Sequence, residues 1–105
     1  MKDIQTMTRE LVDKYRLSTQ LHIRILDLMS EVGELCKEYN KITEYGRNPF
    51  AVTKDFELEI GDVFFSLIFI ANISGINLEE ALEKTILKME KRMKKTGNIG
   101  SGRRK

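Results

Sequence analysis

The chain has 105 residues, 41% of them apolar, with one cysteine and no tryptophan, which suffices for one small domain and leaves no room for a second of ordinary size. Its 18 basic and 16 acidic residues leave a net charge of +2, owed largely to Arg103, Arg104 and Lys105, and a body this close to neutral argues against a nucleic-acid-coating protein. A lone Cys36 permits no intrachain disulfide and points to a reduced, cytoplasmic setting.

Apolar residues recur at helical spacing nearly everywhere and strand alternation is almost absent, so the expected class is all-α, a four-helix bundle-like domain over residues 1–96. The first ten residues carry charges where an export signal has an apolar stretch, so none is expected. The first helix runs from about Asp3, its N-cap, to Tyr15, with Ile4, Met7, Leu11 and Tyr15 as the inward stripe. The second runs from about Thr19 to Glu44, turns Leu21, Ile25, Leu28, Val32, Leu35, Tyr39 and Ile42 to one face, and stops at Gly46 and the Asn48-Pro49 step.

Thr53 caps a third helix that continues to about Ser74 and stops at Gly75. Its second half, around Val63 to Ala71, is apolar on all sides but for Ser66. That run is too short to cross a bilayer and suits a helix buried all round, in a bundle centre or against another copy. A core this small gains from assembly, so a homodimer or homotetramer is expected. Asn77 and Glu80 open a fourth helix, with Leu78, Ala81, Leu82, Ile86, Met89 and Met93 inward, and Gly97 ends it. Residues 97–105 read as a flexible, Gly-rich basic tail, which lacks the G-K-[ST] of a P-loop.

Two short acidic pairs carry the chemistry. E-V-G-E places Glu31 and Glu34, and E-I-G-D places Glu59 and Asp62, three residues apart on one helix face. On the second helix Asp27, Glu31, Glu34 and Glu38 form one row, which alone a solvated face would explain. On the third, Asp62 leads straight into V-F-F-S-L-I-F-I-A, where a carboxylate loses water and requires a partner. A cation relieves the repulsion, and an oxygen-rich anionic cage suits Mg²⁺ or Mn²⁺; a salt bridge relieves it too. Gly33 and Gly61 sit inside the two motifs at a cost of roughly 1 kcal/mol each relative to Ala, which close approach of two helices at a shared site would offset. His22 is the only histidine, so paired E-x-x-H di-iron motifs cannot be built within one chain.

These segments, S-E-V-G-E-L-C-K-E from Ser30, E-L-E-I-G-D-V-F-F-S-L from Glu57 and A-N-I-S-G-I-N-L-E-E-A-L from Ala71, resemble the all-alpha nucleotide pyrophosphohydrolases of the MazG-like superfamily. The resemblance implies hydrolysis of a nucleoside triphosphate between its α and β phosphates, with Mg²⁺ held by Glu31, Glu34, Glu59 and Asp62. Many relatives carry a second Glu immediately before the first motif, where this chain has Ser30, so the general base is assigned to Glu38, ahead of Asp27 and Asp55. Lys88 and Arg92, in a basic stripe with Lys84, Lys91 and Lys95, match similar basic positions and would hold phosphate oxygens, unless the stripe is a solvated face paired with Glu80 and Glu90. Asn72 contacts substrate or is a satisfied core amide. Lys54 and Arg47 are weaker phosphate candidates, since loops and helix starts often carry exposed basic residues, and any stacking on the base falls to Tyr39, Tyr45, Phe50 or Phe56. Two other functions fit the same residues: a nucleotide- or metal-binding regulatory module without turnover, and a structural helical assembly whose acids form salt bridges.

Overall fold

The computed structural model describes residues 3–97, which form four helices and, among the described residues, no strand: α1 (Ile4–Tyr15), α2 (Leu21–Thr43), α3 (Lys54–Ile73) and α4 (Leu78–Thr96). The all-α expectation holds; the expected tail lies, from residue 98 on, outside the described residues. The chain divides into two compact units, one holding α1 to α3 and ending at Gly75, the other beginning at Ile76 and holding α4. No single described helix is long and apolar enough to cross a membrane.

Local chemistry sets the boundaries. Asp3 Oδ1 accepts the Thr6 N–H at 2.9 Å, Thr53 Oγ1 that of Phe56 at 3.1 Å, and Asn77 Oδ1 that of Glu80 at 2.9 Å, satisfying donors a helix start leaves open. The backbone N–H and hydroxyl of Thr6 hold the Asp3 carboxyl below its usual acidity range. The second helix starts later than its pattern suggested. Gln20 precedes it without a side-chain cap, while Ser18 Oγ accepts the Gln20 N–H at 3.3 Å in a local turn that competes with helix. At its other end Glu44 and Tyr45 take left-handed conformations ahead of Gly46. The turn is organised by Thr43, only 1% exposed, whose hydroxyl donates to Tyr39 O and accepts from Gly46 N–H, both at 3.0 Å.

In the first unit α3 is central: α2 lies along it and α1 meets it more locally. The core is Val12 from α1 and Ile68, Phe69 and Ala71 from α3, with Ser66 beside them. Several expectations need correction here. On α2 Leu21, Ile25 and Tyr39, and on α4 Leu82 and Ile86, are exposed rather than turned inward. The apolar stripe of α1 is not the face it buries: Ile4, Met7, Leu11 and Tyr15 are 43 to 61% exposed, while Thr8 and Val12 are buried. Polar complementarity accompanies that choice: Gln5, on the Thr8–Val12 side, donates from Nε2 to Asn72 Oδ1 at 2.9 Å, and its backbone carbonyl accepts from Asn72 Nδ2 at 3.0 Å. Nor is the second half of α3 enclosed, since Phe64 and Leu67 remain more than 40% exposed in the single chain. Within the second unit, Asn77 and Gly97 (φ 78°) bound an amphipathic α4.

Candidate metal centre

Residues early in α2 meet residues late in α3, so the two helices run antiparallel and their facing side chains fall into three layers. At one end the Arg24 guanidinium lies 4.7 Å from the centroid of the Phe69 ring. At the other, Phe50 of the connecting loop stacks on Tyr39 at 5.5 Å and meets Phe56 edge-on at 4.9 Å. Between them, Glu31 comes against Glu59 and Asp62.

A carboxylate oxygen from each of Glu31, Glu59 and Asp62 lies within 4.8 Å of the others, with Glu31 and Glu59 half-buried and Asp62 exposed. Both Glu carboxyls are held above their ordinary range. Desolvation is the leading cause, followed by the charge of Asp62, with Asp27, Glu59 and Glu34 adding to Glu31 and with Glu34, Glu38 and Asp55 adding to Glu59. Glu59 Oε2 is sealed from solvent and has no hydrogen-bond partner among the described residues. Three carboxylates this close, one of them carrying a buried oxygen without a partner, fit a divalent cation, which cancels the repulsion. The desolvated acids at this site are therefore Glu59 and Glu31 rather than Asp62, the reverse of what the apolar run after Asp62 suggested.

The MazG nucleotide pyrophosphohydrolase domain matches residues 20–97, most of the chain. The chain belongs to the MazG nucleotide pyrophosphohydrolase family. Among its relatives is YpjD of Bacillus subtilis, named an uncharacterized protein, 36% identical over 98 residues that cover 90% of this chain and 86% of YpjD. The crystal structure of YpjD, designated a candidate pyrophosphatase, aligns with a TM-score of 0.68 at 35% identity, covering 84% of this chain and 90% of that one.

The acids singled out by the MazG-like signature do not all converge equally. Glu34 is exposed and stands outside the three-carboxylate group, although its charge reaches both Glu31 and Glu59. Glu38, half-buried one turn further on, acts on Glu59. Gly33 and Gly61 mark no helix crossing within the chain: both are exposed, and a Cβ on either would meet open space. The amide of Asn72 is engaged on both sides by Gln5, which favours the satisfied-amide alternative. Lys54 is exposed at the first position of α3. In the second unit Lys88 and Arg92 line, with Lys84, Lys91 and Lys95, an open hollow of about 430 Å³ around Leu87.

One residue of this face carries no motif and was passed over in the sequence. Arg24 is seven residues before Glu31, two helical turns on the same face, and that register was the available signal.

Proposed function

We propose that the protein is a Mg²⁺-dependent nucleoside triphosphate pyrophosphohydrolase that cleaves an NTP or dNTP between the α and β phosphates, releasing the monophosphate and pyrophosphate in nucleotide-pool house-cleaning. The observation that carries this is the convergence of Glu31, Glu59 and Asp62, with Glu59 half-buried and one of its oxygens unpartnered, in a chain of this family.

Glu31, Glu59 and Asp62 would hold the cation, with Glu34 completing the set from the α2 margin; Mn²⁺ is a natural substitute. Bound there, it supplies charge neutralisation for the polyphosphate and makes a water acidic enough to attack at neutral pH. Glu38 accepts that water's proton on a carboxylate oxygen, a role its half-buried position beside the acid layer supports. The helices place these groups rigidly, and the loss of one bond to the anhydride oxygen separates the two products. Lys88 and Arg92 serve the phosphates, with Lys54 as a lesser contact, while Asn72, committed to Gln5, holds α1 to α3 instead.

The uncovered apolar faces of α1 and α3 support assembly into a homodimer or homotetramer. The family match over residues 20–97 supports reading α2 to α4 as parts of one domain. Its setting is cytoplasmic, without membrane or nucleic-acid partners. Ser30, in place of the acid many relatives carry, keeps a second function in view: binding of nucleotide and metal without turnover.

The test is a panel of ribo- and deoxynucleoside triphosphates assayed for pyrophosphate and monophosphate, with Mg²⁺ and with chelator. Metal-dependent release of both products from at least one nucleotide is expected. Tight binding without product favours the regulatory module, and neither binding nor product across the panel overturns both.

A further inference from the structure

Arg24, Asp27 and Glu31 follow one another along α2 at spacings of three and four residues. At 3.6 residues per turn this places Arg24 about 20° from Glu31 around the axis and about 10 Å along it toward the N-terminus. The other α2 cations point elsewhere, Lys37 roughly 120° and Lys41 roughly 80° away from Glu31. Arg24 is thus the cation of α2 aligned with the acid layer.

Its surroundings leave it under-used. The side chain is only 18% exposed, Nε is sealed without an acceptor among the described residues, and the guanidinium rests on the Phe69 ring. Its ion pair is loose: Nη1 lies 3.6 Å from Oδ2 of Asp27, whose side chain is 51% exposed, against roughly 2.7 to 2.9 Å for a charge-assisted hydrogen bond. A planar cation partly stripped of water, carried on an aromatic face and weakly neutralised, is suited to a multiply charged anion.

We propose that Arg24 binds the terminal phosphates of the substrate, so that a polyphosphate held at its inner end by the acid layer extends toward the N-terminal end of α2. This rests on the assignment of Glu31, Glu59 and Asp62 as the metal centre. The same orientation directs the nucleoside toward the Tyr39–Phe50–Phe56 layer, where Tyr39 and Phe50 keep about two-fifths of their surface open. A guanidinium on the departing half would complement the cation held by the acids at the inner end.

Inorganic pyrophosphate is the probe. Its binding, and that of a nucleoside monophosphate, is measured calorimetrically with Mg²⁺ for the wild type, Arg24→Gln and Arg24→Lys, beside Mn²⁺ binding without nucleotide, melting temperature, oligomeric state, and KM and kcat for the best substrate. Arg24→Gln is expected to weaken pyrophosphate and raise KM roughly tenfold or more, Arg24→Lys to recover part of the loss, and monophosphate and Mn²⁺ binding to stay within about twofold. Equal pyrophosphate affinity in Arg24→Gln and wild type overturns the proposal. So does parallel loss of all three ligands with a lowered melting temperature or a changed oligomeric state, the mark of packing on Phe69 or of pairing with another copy. Arg24-dependent pyrophosphate binding in a protein that releases no product from any triphosphate upholds the Arg24 assignment and defeats only the hydrolytic one.

Discussion

α1 and α2 both carry an apolar stripe at helical spacing, yet they use it differently. On α2 the stripe residues Leu28, Val32, Leu35 and Ile42 are half-buried in the unit built around α3, while Leu21, Ile25 and Tyr39 stay exposed, and of the acids at its margin Glu31 and Glu38 are drawn into the same seam. On α1 the stripe stays open, while the narrower face of Gln5, Thr8 and Val12 is used, where the Gln5 side-chain amide and backbone carbonyl both engage Asn72. Apolar periodicity says that a face needs covering, not which element covers it.

The largest effect expected lies on the α2–α3 side. Glu59→Gln removes the buried ligand and should lower kcat on the order of 10³-fold, matching several kcal/mol of lost charge stabilisation. Asp62→Asn, at the exposed edge, should cost less; an Asp62 effect exceeding that of Glu59 would reverse the assignment of the desolvated acid.

The pH dependence of stability sharpens the same side. Because Glu31 and Glu59 are raised by desolvation and neighbouring charge, their contribution to stability is fully present below about 4.5, their ordinary value, and is lost as pH rises through the raised values. Metal-free protein should melt at a lower temperature at pH 8 than at pH 5, and saturating Mg²⁺ should narrow the gap. A gap that survives in Glu31→Gln/Glu59→Gln has another origin.

On the α1 side, Val12→Ala should destabilise by about 2 kcal/mol in chemical denaturation. Met7→Ser should leave monomer stability nearly unchanged but weaken self-association in sedimentation. If Met7→Ser proves harmless at every concentration, nothing covers the α1 stripe and the contrast between the two helices is a property of the isolated chain. The smallest shift is expected from Gly33→Ala and Gly61→Ala, each a gain of up to about 1 kcal/mol if those faces stay open. A loss instead would place a second copy against them.

Much of the fold was legible because it depended on local chemistry: Asp3, Thr53 and Asn77 cap the helices they were expected to cap, and Gly75 and Gly97 take the positive φ that ends them. What escaped depended on distant partners. No local signal tells that Gln5 meets Asn72, 67 residues on, a pairing on the face that α1 buries in place of its stripe. The acid pairs were legible as pairs, but which carboxylate loses water depends on how α2 lies across α3, so Glu59 could not be told from Asp62. Arg24 lay in register with Glu31 and was obscured because a lone cation beside Asp27 looks like an ordinary surface pair.

The separation of the ligands along the chain has a folding consequence. Glu31 and Glu59 are 28 positions apart, so any cation shared between them ties the ends of a loop whose closure costs on the order of 3 kcal/mol in length-dependent entropy. It would act as a reversible cross-link on the α2–loop–α3 hairpin, so that divalent metal would raise the stability of the folded chain as well as support turnover.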